Sequence, residues 1–197
     1  MDLEWLLVVL AYLLGTIPTA ILVGRREGRD PTAEGSRNPG ASNTFRTMGR
    51  RAGATVLLGD VAKGALAAAV GLAVGNRAVG VACGLAAVLG HVAPATRGFR
   101  GGKGVATGAG MALVLLPAPT VVLAVVWAAA VRLFGAASAG SVAVAVGLPV
   151  SAALVGRPAG EVVAFTACGA LVVARHRGNL ERLRRGEEHS LAREASE

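Results

Sequence analysis

Seven long apolar stretches dominate the chain, at residues 3–24, 53–75, 78–94, 104–117, 119–135, 138–156 and 159–174. None alternates with period two, and the runs exceed the length of buried strands, so each predicts a helix. The first, at 22 residues, is long enough to cross a hydrocarbon core of roughly 30 Å at 1.5 Å per residue. It opens with Asp2 and Glu4 in place of a basic cluster and has no convincing small-residue cleavage site, so it reads as a retained span. Pro18 predicts a kink near its end. Four of the stretches are only 14 to 17 residues long and carry Gly and Pro, a pattern suited to short or broken spans around a polar cavity. The expected architecture is an all-α polytopic integral membrane bundle of about seven spans. It forms a single membrane-embedded domain over residues 1–197, with an amphipathic cytoplasmic tail at 175–197.

Polar residues fall between these stretches with a bias. Seventeen of the twenty Lys and Arg residues lie in or beside the first, third and fifth connections and the tail, against two on the opposite side and Lys63 within a span. Basic connections stay cytoplasmic, which predicts an outside N-terminus and a cytoplasmic C-terminus. Five spans would leave the same connections inside.

Composition narrows the function classes. Hydrophobic residues make up 53% of the chain and charged residues 16%, too apolar for an ordinary soluble domain. The net charge of +8 does not indicate nucleic acid, because aromatics are 4% and the basic residues interrupt apolar runs without lining one face. Cys83 and Cys168 lie inside apolar stretches and match no metal-ligand spacing, so they read as small core residues. No metal, cofactor or obligate protein partner is indicated.

The polar chemistry gathers on the basic side. Residues 90–107 read GHVAPATRGFRGGKGVAT, and glycine amides beside an ammonium in the run 101–104 suit phosphate. The nucleotide P-loop is excluded, since Arg97 and Gly104 stand where it needs Gly and Ser/Thr. Residues 25–51 form a long polar connection holding EGSRNPGASNTFRTMG. Asp60 and Lys63, three apart in an apolar span, can pair as a helix-registering bridge or serve a site. His91 is open between a satisfied structural role and a place in the pocket. His176 and Asn179 share a helical face in the tail, whose Arg182, Arg184 and Arg185 can also rest on anionic lipid. There is no Gly-x-Ser-x-Gly elbow, and Ala95 stands four residues after His91 where many acyltransferases have Asp. A covalent acyl-enzyme is disfavoured, and the pocket suits an amphiphilic, phosphate-bearing substrate.

Five segments in order carry a resemblance. YLLGTIP at 12–18, GSRNPGASNTFR at 35–46, the D-x-x-K-G element at 60–64, GH-x-x-P with GGKGVAT within 90–107, and RHRGNLERL with Gly186 and Glu188 in the tail resemble motifs of the bacterial acyl-phosphate:glycerol-3-phosphate acyltransferase (PlsY) family. Arg37, Ser42 and Gly178 replace that family's Gly, Thr and Glu, and Ala93 and Thr96 replace aromatics. The resemblance implies direct transfer of a fatty acyl group from acyl-phosphate to the 1-hydroxyl of sn-glycerol 3-phosphate, without acyl-CoA or acyl-carrier protein. It implies catalytic parts for Ser36, Arg46, Lys103, His176 and Asn179. It implies substrate-binding parts for Asn38, Ser42, Asn43, His91, Gly101, Gly102, Gly104 and Ser141. The proton acceptor is open between His176 and a substrate phosphate oxygen. A small transporter of an anionic solute and an altered paralogue are the competing readings. A CDP-alcohol phosphotransferase would need an aspartate cluster, and Asp60 stands alone.

Overall fold

The computed structural model describes residues 3–188; the last nine residues of the expected tail lie outside the described residues. All seven apolar stretches are helical, and their contacts divide the chain into two compact units, one ending at Leu115 and the other beginning at Leu116.

The first unit contains α1 (Leu3–Gly15), α2 (Thr19–Arg26), α3 (Ala41–Val74), α4 (Arg77–Val92) and α5 (Val105–Leu115). Pro18, which has no N–H and disfavours a helical residue before it, separates α1 from α2. The polar connection expected over 25–51 is shorter than its composition suggested: helix begins at Ala41, after Gly40, and breaks at Gly49 (φ 84°) before running on to Val74. The polar segment 41–48 is thus helical and joined through the Gly49 kink to the apolar run, and α3 packs against α2. Asn76 starts α4 by accepting from the N–H groups of Ala78 and Val79 at 2.9 and 3.2 Å.

The second unit contains α6 (Pro117–Phe134), α7 (Ala137–Leu154), α8 (Ala159–Arg175) and α9 (Arg177–Arg185). Within it α7 packs on both α6 and α8. The tail does not continue α8 straight: α9 leaves it at 54°, the turn falling at His176.

Among the described residues, five helical segments are long and apolar enough to cross a membrane, or six if α8 and α9 count as one bent span. Helix α5, expected as a further crossing, has 11 residues and reaches about 16 Å. Its polar backbone ends are tolerable at depth because protein flanks it on the α3 and α4 sides.

Residue sizes are distributed inside out. Interior positions are largely Ala, Gly and Val, while Leu58, Val125, Leu133 and Leu154 lie on the outside, 66–82% exposed. Lipid is as apolar as leucine, so helices here associate through close backbone approach and not through burial of large side chains. Two reciprocal contacts show how close. A methyl group added to Gly64 would lie 2.0 Å from the Thr107 carbonyl oxygen, and one on Gly110 the same distance from that of Val61. On the α1–α4 side, a methyl group added to Gly15 would lie 2.2 Å from the Ala87 carbonyl oxygen, and one on Gly90 2.1 Å from that of Tyr12.

Arg37 has φ 56°, in the left-handed region. A Cβ there costs about 1–2 kcal/mol, which accounts physically for the glycine that the PlsY motif places at this position.

Two outcomes follow for stability. Gly64→Leu pushes its side chain into the α5 backbone and should cost at least about 1–3 kcal/mol, read as a lowered thermal midpoint in detergent, whereas Gly160→Ala in α8, whose Cβ meets nothing within 4 Å, should hold or slightly raise it. Arg37→Gly removes the left-handed cost but frees the unfolded chain, for a net gain of about 0.5–1 kcal/mol; a lower midpoint would show that the Arg37 side chain makes a compensating contact.

Candidate active site

In the first unit the loop between α2 and α3 is tied around one amide. Asn43, 1% exposed, donates from Nδ2 to the carbonyls of Pro31 (2.9 Å) and Glu34 (3.1 Å). Its Oδ1 accepts from the Ser36 N–H (2.8 Å) and the Ser36 hydroxyl (3.1 Å). Two donors and two acceptor positions are thereby all used. Arg46, one turn further along α3, donates from Nη2 to Ser36 Oγ at 3.3 Å. The structure therefore brings Ser36, Asn43 and Arg46 together as a bonded set. Gly35, with φ 57°, passes so close to Asn43 that a Cβ would lie 2.5 Å from Oδ1.

Further ties hold the loop from outside. Arg29 forks onto the Glu34 carboxylate and also donates to the Thr47 carbonyl. The hydroxyl and amide of Thr32 donate to Asp30 Oδ1 at 2.7 and 2.8 Å, holding that carboxyl below its usual range. Ser42 is exposed in the first turn of α3, which Gly40 enters with no side-chain cap. Orphan N–H groups beside an exposed hydroxyl suit an anion. Asn38 sits half-buried next to Gly40, its Nδ2 2.9 Å from where a Gly40 Cβ would be.

The glycine run behaves differently from an open nest of amides. The Gly102 N–H, expected to face phosphate, donates to the His91 carbonyl at 3.0 Å. A Cβ on Gly102 would fall 2.1 Å from His91 Nε2, and one on Gly101 would fall 2.1 Å from the His91 carbonyl oxygen. These two glycines are required because the loop lies directly on the end of α4. Gly104 (φ 87°) turns the chain into α5, leaving Lys103 half-buried between them. Tyr12 fixes the loop's entrance: its hydroxyl donates to the Ala93 carbonyl at 2.8 Å and accepts from the Ala95 N–H at 2.9 Å.

Asp60 and Lys63 do pair, at 2.9 Å, with side chains 1% and 4% exposed. Their partners extend well beyond the helix. Thr19 donates to Asp60 Oδ1, Lys63 donates to the Ile17 carbonyl at 3.1 Å, and His91 Nδ1 lies 2.8 Å from Lys63 Nζ. The sequence gives Thr19 no distinguishing mark, since a Thr at the end of an apolar run is unremarkable and its partner lies 41 positions away. A small cleft lined by Thr16, Thr19, Pro39, His91, Arg97 and Gly102 among others adjoins this cluster.

In the second unit, Glu188 gathers three partners. Ser138 donates to its Oε1 at 3.1 Å, Asn179 donates to the same oxygen, and Arg182 pairs with Oε2 at 2.8 Å. His176 is 3% exposed and donates from Nδ1 to the Val172 carbonyl at 2.7 Å. Ser141 is also buried and donates to the Ala137 carbonyl at 2.8 Å. Ser141, His176 and Asn179 thus belong to this unit, and the other expected site residues to the first. Among the described residues, no three of His, Cys, Asp and Glu come together as metal ligands.

The family model described as glycerol-3-phosphate acyltransferase matches residues 5–186. The glycerol-3-phosphate acyltransferase of Syntrophomonas wolfei subsp. wolfei is 42% identical over 193 residues, 98% of this chain and 99% of that protein. That of Pseudomonas paraeruginosa is 43% identical over 187 residues, 93% and 97% of the two chains. The crystal structure of PlsY (YgiH), an integral membrane glycerol 3-phosphate acyltransferase, in its glycerol 3-phosphate form matches with a TM-score of 0.92 and 32% identity over 96% of both chains. Its lysophosphatidic acid form gives 0.90 at the same identity, covering 96% of this chain and 95% of that one. With the match running almost from end to end in both sequence and helical architecture, the chain belongs to the glycerol-3-phosphate acyltransferase family and shares its integral membrane fold.

Proposed function

We propose that the protein transfers a fatty acyl group from acyl-phosphate to the 1-hydroxyl of sn-glycerol 3-phosphate, releasing 1-acyl-sn-glycerol 3-phosphate and inorganic phosphate at the cytoplasmic face of a bacterial plasma membrane. The observation that carries this reading is the Ser36–Asn43–Arg46 set at the uncapped start of α3. It combines a guanidinium, an exposed hydroxyl on Ser42 and helix N–H groups, all of which favour phosphate oxygens.

An acyl-phosphate is a mixed anhydride and already activated. The substrate hydroxyl adds to the acyl carbon, the bond from that carbon to the phosphate oxygen breaks, and phosphate leaves with the electron pair. The hydroxyl proton goes to a phosphate oxygen or to His176. The protein's part is to hold two phosphates and offset charge on the oxyanion and leaving group. Arg46 and Lys103 supply cations, and Ser42 with the α3 amides receives the donor phosphate. Lys103 and Gly104 receive glycerol 3-phosphate.

Direct transfer also fits the state of Ser36. Its hydroxyl proton goes to an amide oxygen, a poor base, and its lone pair accepts from Arg46, so nothing activates it as a nucleophile. Asn43, with its hydrogen-bonding capacity used within the loop, positions Ser36 and does not touch substrate. The motif residues His176 and Asn179 and the hydroxyl of Ser141 are assigned to the same reaction, His176 with phosphate as its chief ligand.

Purified protein in detergent, given palmitoyl-phosphate and labelled glycerol 3-phosphate without CoA or carrier protein, should form lysophosphatidate with matching phosphate release. No product from folded protein would overturn the assignment. Arg46→Ala and Lys103→Ala each remove a charge-assisted contact worth about 1.5–3 kcal/mol and should lower kcat/KM about ten- to a hundred-fold without loss of membrane insertion. Full turnover by Lys103→Ala at limiting glycerol 3-phosphate would remove Lys103 from the site.

A further inference from the structure

We infer that Asp60 and Lys63 are positioning residues that lock His91 as a neutral imidazole with its proton on Nε2, so that His91 offers the cleft a hydrogen-bond donor and never a base; the kinetic part of this inference rests on the acyltransferase reading above.

The state of the ring follows from a count of protons. A lysine ammonium has three N–H donors and no acceptor. Around Lys63 Nζ stand three acceptors: the Ile17 carbonyl oxygen at 3.1 Å, Asp60 Oδ1 at 2.9 Å and His91 Nδ1 at 2.8 Å. Each proton has one partner. For the third bond to exist, His91 Nδ1 must present its lone pair, which places the ring proton on Nε2. An imidazolium would set two cationic donors nose to nose at 2.8 Å, inside a cluster whose Asp60, Lys63 and His91 side chains are 1%, 4% and 9% exposed. The competing arrangement, an Nδ1–H donating to Asp60 Oδ1, has the longer path of 3.5 Å. That oxygen already accepts from Lys63 and from the Thr19 hydroxyl.

The other edge of the ring is placed as tightly. Gly102 lies against Nε2 so closely that a Cβ would be 2.1 Å away. The Gly102 N–H is bonded to the His91 carbonyl. His91 and Gly102 both line the cleft, with Arg97 and Thr16. The cleft is therefore offered a fixed neutral N–H beside a guanidinium-bearing loop, a pairing that favours a phosphate or carbonyl oxygen of the substrate and in which the imidazole itself takes no hydroxyl proton. The buried ion pair cancels its own charge, so it orients the ring without adding a net charge to the site.

The test has a spectroscopic and a kinetic arm. In protein labelled with ¹⁵N-histidine, long-range ¹H–¹⁵N spectra should show the His91 ring, identified as the signals absent from His91→Gln, as the Nε2–H tautomer at neutral pH. Lys63→Met should abolish that fixed tautomer. An Nδ1–H tautomer or an imidazolium in the unsubstituted protein would overturn the inference, whether or not Lys63→Met folds and whether or not the protein proves to be an acyltransferase. In acyl transfer, Lys63→Met and His91→Ala should each raise KM for glycerol 3-phosphate about ten-fold with kcat nearly unchanged. His91→Gln, which keeps an N–H near the Nε2 position, should recover part of the loss. The double variant Lys63→Met/His91→Ala should be no worse than His91→Ala alone, because Lys63 acts through the ring. Additive losses, or a fall in kcat alone, would assign Lys63 a purely structural part.

Discussion

The first unit depends on backbone meeting backbone. Where α3 crosses α5, and where α1 crosses α4, a glycine on each helix lies against a carbonyl of the other. In a solvent of lipid tails no gain comes from hiding leucine, so dispersion at these contacts must hold the helices together. The same contacts set the depth at which functional groups appear. Asp60 precedes Val61, Lys63 precedes Gly64 and His91 follows Gly90, so each of these three side chains stands next to a residue of a tight crossing.

That placement makes a buried charge tolerable. An isolated lysine or aspartate at this position would be expensive. Here the ammonium is surrounded by a carboxylate, a carbonyl and an imidazole nitrogen, and the carboxylate also receives the Thr19 hydroxyl. The Ser36 loop follows the same rule by different means. A single buried amide satisfies four backbone and side-chain groups, which lets a fourteen-residue connection between α2 and α3 hold one hydroxyl against one guanidinium. Polar order in this unit comes from pairing; among the described residues the buried Thr107 hydroxyl stands apart, with no hydrogen-bond partner.

Much of this was legible beforehand. Apolar runs beyond the length of strands can only be helices, and Pro18 marked the first break. The motif content placed Ser36, Arg46, His91 and Lys103 in a phosphate-handling protein. Three features were not legible, for physical reasons. Residues 41–48 carry no apolar stripe, since that part of α3 has a largely polar surface, so periodicity hid a helix that begins at Ala41. Glycine serves both to expose amides and to admit a neighbouring backbone; the run at 101–104 looked like the first and Gly101 and Gly102 prove to be the second. The His91 cluster joins residues 17, 19, 60, 63 and 91, and contacts over such separations leave no local pattern. The left-handed backbone at Arg37 is the reverse case, a departure from a motif glycine that became intelligible only as a dihedral angle.

The inside-out arrangement of residue sizes also governs how such a chain can diverge. Its lipid-facing positions ask only for apolarity, so leucine, valine, isoleucine and phenylalanine can replace one another there with little effect. Its crossings admit no added atom at Gly15, Gly64, Gly90 or Gly110. Copies descending from one ancestor would therefore be expected to lose identity fastest on their broad outer faces and to hold their geometry through a few small residues, an expectation in keeping with a TM-score of 0.92 to a solved relative at 32% identity.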